Sequence, residues 1–300
     1  MRAIIAGGTG FIGQSLITEL QENGWDIVVL SRSPGKVASI FGSGVIGMRW
    51  DNGDWPDLLG PETVIVNLAG ENIAAGRWTR ARKERILNSR IKAGERIVEV
   101  VRRSGVAPAA LIQASAVGYY GPRGTELIDE TADSGDGFLA EVTRRWEAST
   151  LALEEMGVRR VIIRTGVVLG NGGALERMLP PFRFFLGGPL GSGLQGVSWI
   201  HMADEVGAIR FLMENEETSG AYNLTAPTPV RFRKFARILG QTLNRPHWLK
   251  VPAFVLRLLF GDMADEALLS GQLVLPARLL RAGYGFRFPN LEEALADLLV

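Results

Sequence analysis

The 300-residue chain contains no cysteine, which excludes disulfides, thiol nucleophiles and thiolate metal centres. Histidine is nearly as scarce. Only His201 and His247 occur, far apart in the chain, so a histidine-based metal site has little to draw on and no metal is expected. Neither sign of charge is in excess: the formal net charge is +1, and no strong overall field would draw the chain to nucleic acid or to a membrane. No apolar run approaches the roughly 18 residues that a membrane span needs. The first strand-like run starts at Ala3 and leaves no room for a signal peptide before it, so a cytoplasmic location is the expectation. Gly-x-Ser-x-Gly does not occur either, and a hydrolase nucleophile elbow goes with it. What the sequence does have is apolar content, 46%, ample for a buried core in one large or two small domains.

It also has a glycine cluster. Ala3-Ile4-Ile5-Ala6 is followed by Gly7-Gly8-Thr9-Gly10-Phe11-Ile12-Gly13, then a helical pattern, then Ile27-Val28-Val29-Leu30. This reads as strand, glycine turn, helix, strand. Gly7 and Gly10 would allow a tight turn and a close approach of backbone to a pyrophosphate, and Gly13 would let the helix pack on the strand. The helix opened by Phe11 and Ile12 would hold phosphates at its N-terminus, where unpaired N–H groups and the macrodipole favour anions. A P-loop reading of Gly8 to Gly13 fails, because Gln14-Ser15 stands where Lys-Ser/Thr is needed.

Ser31 and Arg32 follow the second strand with no carboxylate beside them. An NAD site usually places an acid there for the ribose 2′-hydroxyl. A guanidinium suits a 2′-phosphate, through charge-assisted bonds of roughly 1.5–3 kcal/mol each, a preference on the order of ten- to hundredfold. NADP is therefore the expected cofactor, set against a plain surface arginine.

Further apolar runs at 45–48, 64–68, 111–114 and 161–163 alternate with helical stretches near Arg80–Arg103 and Leu139–Met156. Continuous β-branched runs separated by helices predict an α/β fold, a Rossmann-type doubly wound parallel sheet. Ligands bind such sheets at the carboxyl ends of the strands, which directs attention to the loops after Leu30, Trp50, Leu68, Ser115 and Arg164. After about Gly170 the pattern changes to a glycine- and proline-rich stretch, a helix over 204–214, a short strand at 222–224 and further helices. The predicted division is a cofactor-binding domain at 1–170 and a smaller, mainly helical substrate region at 171–300, discontinuous, with some strand returning to the main sheet. The basic helix Arg80–Arg103 carries an apolar stripe, Ile86, Leu87, Ile91 and Ile97. It reads as a solvated or subunit-facing helix rather than a nucleic-acid surface, since stacking aromatics are missing from it.

The glycine turn, Asn67-Leu68-Ala69-Gly70, Ser115 with Tyr120-Gly121, and Trp199-Ile200-His201-Met202-Ala203-Asp204 together resemble the extended short-chain dehydrogenase/reductase superfamily. More narrowly, Ala69-Gly70-Glu71-Asn72-Ile73, the run Ala114 to Gly121, Trp146-Glu147 and Gly271-Gln272…Pro276 look like its atypical "epimerase family" branch of NADP-binding proteins. The similarity covers essentially the whole chain. It implies that Leu68, Ala69 and Gly70 lie against the cofactor, that Glu71 and Arg77 contact it, that Asp51 at the end of the third strand meets adenine, and that Gly166, Val167 and Val168 lie beside the nicotinamide. It also implies a Tyr-x-x-x-Lys acid/base pair on the helix after Ser115, and here the chain departs. Leu139 and Thr143 occupy those places, and losing a positioned general acid/base costs typically about 10²–10⁴ in rate. The loop from Ser115 to Tyr-Gly is also one residue longer than usual. The remaining catalytic candidates are Ser115, as a hydrogen-bonding partner for a substrate hydroxyl or carbonyl, and Tyr119 or Tyr120, as proton donor beside a cation, with Glu71, Arg77 and Lys83 able to polarise the neighbourhood. His201 reads as structural, and Trp78, Trp146 and Trp199 as core.

Two functions follow from these residues. One is an NADP(H)-dependent oxidoreductase or epimerase-like enzyme acting on a small sugar-like or carbonyl substrate. The alternative is a catalytically silent NADP(H)-binding sensor or regulatory protein. Nucleic acid and membrane are not expected as partners, and a homodimer follows the superfamily habit.

Overall fold

The computed structural model describes residues 1–51 and 55–300. Its strands are β1 (Arg2–Ala6), β2 (Asp26–Ser31), β3 (Val45–Arg49), β4 (Thr63–Asn67), β5 (Ala110–Ala116), β6 (Leu127–Ile128), β7 (Arg159–Thr165), β8 (Val167–Gly170), β9 (Gly196–Val197), β10 (Trp199–His201), β11 (Gly220–Leu224), β12 (Val230–Arg231) and β13 (Leu273–Val274). Seven of them form one sheet in the order β11-β7-β5-β4-β1-β2-β3, with every pairing parallel. The order reverses between β1 and β4. That switch point is where a doubly wound sheet leaves a crevice at its carboxyl edge. The Rossmann-type α/β architecture read from the sequence is the observed one.

Both faces of this sheet are covered, which is why its strands are apolar throughout rather than alternating. Ile5, Val29, Val66, Ile112 and Ile163 face one side with Leu16, Ile17 and Leu20 of α1 (Phe11–Glu22) and Ile209 and Leu212 of α7 (Met202–Glu214). Ile4, Val28, Ile65 and Leu111 face the other, against Ile97 and Val101 of α3 (Arg80–Ser104). The buried positions of α1, Gly13, Leu16, Ile17 and Leu20, recur at the spacing of one helical face. The 25-residue α3 begins at Thr79, whose hydroxyl accepts from the Arg82 amide at 3.2 Å, and stops at Gly105 in the left-handed conformation, φ 66°.

Two local expectations are corrected. The helix foreseen over 139–156 is broken into α4 (Phe138–Ala148) and α5 (Ala152–Glu155). The hydroxyls of Ser149 and Thr150 turn back to the carbonyls of Trp146 and Glu147, at 2.7 and 3.4 Å, in competition with the helical ladder. The third strand ends at Arg49, so Asp51 lies in the following turn, its carboxylate 3.0 Å from the Arg49 guanidinium.

After β7 the chain leaves the main sheet through β8, which pairs with β10, and α6 (Gly173–Arg183), and it returns with α7 and β11, which adds the edge strand beside β7. A second core gathers Leu175, Trp199, Phe235, Leu239, Leu291 and Leu295, from α6, β10, α8 (Phe232–Thr242) and α11 (Leu291–Leu299). The helices α2 (Pro34–Phe41), α9 (Ala253–Phe260) and α10 (Ala277–Arg281) complete the set. No helix among the described residues is long and apolar enough to cross a membrane.

Candidate functional site

The glycine turn sits at the switch point. Gly7 has φ 81°, and a Cβ there would lie 2.7 Å from the Leu68 carbonyl; a Cβ on Gly13 would lie 2.5 Å from the Gly7 oxygen. Only glycine allows β1, α1 and the loop after β4 to converge this closely. The first intrahelical bond runs from the Gln14 amide to the Gly10 oxygen at 2.9 Å. The amides of Phe11, Ile12 and Gly13 therefore precede the ladder, and no acid stands in the first turn of α1. At the end of β2 the Ser31 hydroxyl accepts from the Ser33 amide at 3.0 Å. Arg32 is exposed at the lip, just before α2, whose first turn holds the exposed Lys36, a second cation that the sequence reading did not single out.

The loop after β4 is tied down from below. The Leu68 amide donates to the Ala6 oxygen at 2.9 Å, and the buried Asn67 accepts from Ala69 N at 3.3 Å while donating to Gln113 at 3.0 Å. Glu71 is held through its backbone. Its amide donates to the Ser89 hydroxyl and its carbonyl accepts from Arg90, both at 3.0 Å. The Arg90 guanidinium is 4.8 Å from the Trp146 ring centroid, and burial pushes its pKa down to about 10, with the Glu71 charge opposing. Arg82 reaches the Asn72 carbonyl at 2.7 Å and the Glu71 carboxylate at 3.6 Å. These cations of α3, with Arg96 on the Asp51 carbonyl at 3.2 Å and Lys83 on Asp262 at 2.6 Å, are engaged within the molecule. Arg80, Arg85 and Lys92 stay exposed on the face read as solvated, while Arg82 and Arg90 clamp the edge of the crevice.

Between β5, β7 and α4 lies a network that only part of the sequence reading reached. The Ser115 hydroxyl donates to Glu147 at 2.6 Å, and Arg164 meets the same carboxylate through two bonds, at 2.9 and 3.0 Å. A third Arg164 nitrogen donates to the Tyr120 hydroxyl at 3.1 Å, and that hydroxyl donates to Asn223 of β11 at 2.7 Å. Burial alone would lower the Arg164 pKa, but the Glu147 bond and charge more than offset it and the net shift is upward. Burial raises the Tyr120 phenol, with Arg164 opposing. The Arg164 guanidinium lies 3.4 Å from the Tyr119 ring centroid, and Tyr119 is the partly exposed one of the two phenols. The hydroxyls of Ser115 and Tyr120 are thus directed inward, each to a protein partner.

Across the crevice, Gly166, Val167 and Val168 leave β7. The Gly166 amide donates to Leu224 O at 3.0 Å and the Val167 amide to Ser198 O at 2.7 Å. A Cβ on Gly166 would lie 2.5 Å from the Ser198 oxygen, and the Phe11 ring packs on Gly170, Gly172 and Gly173.

Comparison with known proteins decides the family. Residues 3–225 match the model of the NAD dependent epimerase/dehydratase family, and residues 251–298 match a domain of unknown function, DUF1731. The chain belongs to the NAD dependent epimerase/dehydratase family. It is 40% identical over 306 residues to the chloroplastic epimerase family protein SDR39U1 homolog of Arabidopsis thaliana, covering 100% of this chain and 87% of that protein. It is 38% identical over 302 residues to the epimerase family protein YfhF of Bacillus subtilis, covering 100% and 98%. Among solved structures, the human epimerase family protein SDR39U1 (isoform2), crystallised with NADPH, superposes with a TM-score of 0.89 at 35% identity, covering 100% of this chain and 99% of that one.

Within this epimerase-family fold the departure on α4 has a clear packing role. Leu139 lies against Gly118, where a Cβ would come within 3.2 Å of it, and the Thr143 hydroxyl donates to the Leu139 carbonyl at 3.0 Å. Trp78, Ile86, Val142 and Met263 form an apolar cluster joined by Phe138 and Leu139. Beside it is a cavity of about 380 Å³ lined by Trp78, Lys83, Leu87, Phe138 and Asp262. The start of α4 is tied to the C-terminal region. Its first amides, Phe138 N and Leu139 N, donate to Glu266 of the DUF1731 region at 3.0 and 3.2 Å. Gln272 of the same region reaches the Val117 carbonyl at 2.8 Å. Arg77 lies against Gly261.

His201 caps α7, its Nδ1 accepting from Ala203 N at 3.1 Å, and its ring is 4.0 Å from Phe288. Nε2 is 3.3 Å from Asp297 but not aligned for a hydrogen bond, and burial lowers the pKa. This is a structural histidine. Trp78, Trp146 and Trp199 are all buried.

Proposed function

We propose that this chain binds NADP(H) and acts as an oxidoreductase or epimerase-like enzyme on a small carbonyl or sugar-like substrate. The observation that carries this reading is the glycine cradle at the sheet's switch point together with Arg32 at the end of β2, where no carboxylate accompanies it. The amides of Phe11, Ile12 and Gly13 would take the pyrophosphate, and Ser31, Arg32 and Lys36 the 2′-phosphate. Leu68, Ala69, Gly70 and Glu71 would form one wall of the crevice and Gly166, Val167 and Val168 the other. Arg77 and Asp51 belong to its outer rim. The bound nicotinamide would supply or accept the reducing equivalent.

In this reading Tyr119 is the catalytic residue of the protein itself, the phenol open to a substrate, with its ring fixed on the Arg164 guanidinium. Ser115 and Tyr120 are positioning residues. They hold Glu147 and Arg164, which hold Tyr119.

The test is a titration of the purified protein with NADPH and NADH, followed by nicotinamide absorbance with a panel of aldehydes, ketones and nucleotide sugars. Arg32→Asp should lower the NADPH preference by on the order of ten- to hundredfold. An unchanged ratio of affinities refutes the 2′-phosphate assignment. Tyr119→Phe should leave NADPH binding intact and lower turnover by about 10²-fold or more. Turnover unaffected by Tyr119→Phe would remove Tyr119 from the chemistry, and tight NADPH binding with no turnover of any panel member would refute the enzyme reading.

A further inference from the structure

The net charge of +1 conceals a strongly uneven distribution. Between residues 218 and 261 there are seven arginines and lysines and no aspartate or glutamate. Arg233, Lys234 and Arg237 are exposed on α8, whose other face is buried, and Arg245 and Lys250 are exposed in the segment that follows. This segment and the loop at 184–189 carry large exposed apolar side chains. Trp248 is 75% exposed, Phe184 is 74% exposed, and Phe185, Leu186, Phe254 and Leu258 are each more than half exposed.

Backbone bonds gather these groups on one side of the molecule. Leu249 N donates to Gly187 O at 3.1 Å and Val251 N to Pro189 O at 3.0 Å, joining the 184–189 loop to the segment that enters α9. The Arg245 guanidinium lies 4.7 Å from the Phe185 ring centroid. Phe254 and Leu258, four residues apart on α9, share a face. Among the described residues, the two non-glycine positions with left-handed backbone are Phe185, φ 63°, and Asn244, φ 54°. Such a conformation costs a bulky residue energy, and here it presents an aromatic ring to solvent.

We propose that this face is a peripheral docking surface for an anionic lipid bilayer. Its side chains protrude from two loops and a short helix, which suits a fluid surface. Arginine and lysine together with exposed tryptophan, phenylalanine and leucine is the composition that lies in a membrane interface, with the cations on lipid headgroups and the apolar groups at the acyl boundary. The excess positive charge opposes a second copy of this chain at the same face, because two such faces would repel. The contact is superficial, since no described helix is long and apolar enough to cross.

Trp248 is a built-in reporter. It is the tryptophan in the exposed class, whereas Trp25, Trp50, Trp55, Trp78, Trp146 and Trp199 are buried or partly buried. With the full chain and vesicles containing phosphatidylglycerol, emission should shift to the blue, an aqueous quencher should lose access, and the protein should sediment with the vesicles. Vesicles of phosphatidylcholine alone should give none of these, and added salt should reverse binding of the unaltered protein. Arg245→Glu with Lys250→Glu should weaken binding by on the order of twentyfold or more. Phe184→Ser with Trp248→Ser should weaken it at least tenfold. No binding to anionic vesicles overturns the proposal, as does equal binding to neutral ones or salt-independent binding. So does a concentration-dependent dimer in the absence of lipid that Phe184→Ser abolishes, which would make the face a contact between copies.

Discussion

The Glu147 carboxylate accepts from Ser115 and from two nitrogens of Arg164, and all three side chains are buried in the protein. A buried ion pair adds little over a well-packed apolar pair, but removing one partner leaves a charge without compensation, at about 3–5 kcal/mol. Glu147→Ala should therefore lower the unfolding free energy by about that amount in denaturant titration. Glu147→Gln retains an acceptor for Ser115 yet leaves Arg164 without its counter-charge, so it should recover only part of the loss. A cost below about 1 kcal/mol would mean that water or another group already balances Arg164. Glu205 presents the opposite case. It is fully buried on α7, with one oxygen accepting from Thr165 at 2.8 Å and the other without a partner, and burial pushes its pKa up to about 8. The folded state therefore favours the neutral acid. The penalty for Glu205 is absent below the unfolded value, near 4.5, and grows as pH rises toward 8, by about 1.4 kcal/mol per pH unit. Glu205→Gln, which stays neutral and can still accept from Thr165, should match wild type near pH 4 and gain over it progressively toward pH 8 in urea unfolding. Parallel pH profiles would mean that Glu205 is ionised and partnered.

Elements differ in how openly the sequence displays them. The glycine turn, the strands and the position of Arg32 are legible because each is written in one contiguous segment whose period and punctuation carry the information. The Glu147–Arg164 pair is not, because it joins residues of α4 and β7 that come together only once the sheet register is fixed. A signal was nonetheless present: an arginine directly continuing the apolar run Val161-Ile162-Ile163, in a strand buried on both faces, demands a buried partner. The cations of α3 are a partly similar case. Helical periodicity places them on faces, but not against the loop after β4 that Arg82 and Arg90 hold. The glycine turn itself yields a prediction at this scale. In Gly13→Ala the new Cβ would meet the Gly7 carbonyl at 2.5 Å, backbone against backbone in a closed turn. The strain is relieved only by moving α1 off β1, so the variant should lose about 1–3 kcal/mol of stability and bind NADPH more weakly in the same preparation. A variant with wild-type melting and affinity would show that α1 can slide freely, contrary to the packing of Leu16, Ile17 and Leu20.

At the scale of the whole molecule, carboxylates on one part of the chain receive backbone amides from the other. Asp204 of α7 accepts from Arg287 N and Phe288 N of the DUF1731 region at 2.7 and 2.8 Å, and Glu130 accepts from Arg278 N of the same region at 3.2 Å. Glu266 does the same for α4, whose first residue, Phe138, lines the cavity beside Leu139. Amides at a helix start have no intrahelical acceptor, and a carboxylate placed there satisfies them while meeting the positive end of the dipole. Because no side chain of the Gly137 cap serves this purpose, the DUF1731 region supplies the cap that the first part of the chain lacks. Glu266→Ala should then lower the unfolding free energy by about 1–2 kcal/mol. The effect should reach across the crevice, increasing hydrogen exchange at Phe138 and Leu139 although the substitution lies far along the chain. Glu266→Gln keeps the acceptor oxygen without the charge and should restore roughly half of the stability. If Glu266→Ala alters exchange only around residues 264–268, the two parts of the chain are held together by apolar packing instead, and Glu266 is incidental to it.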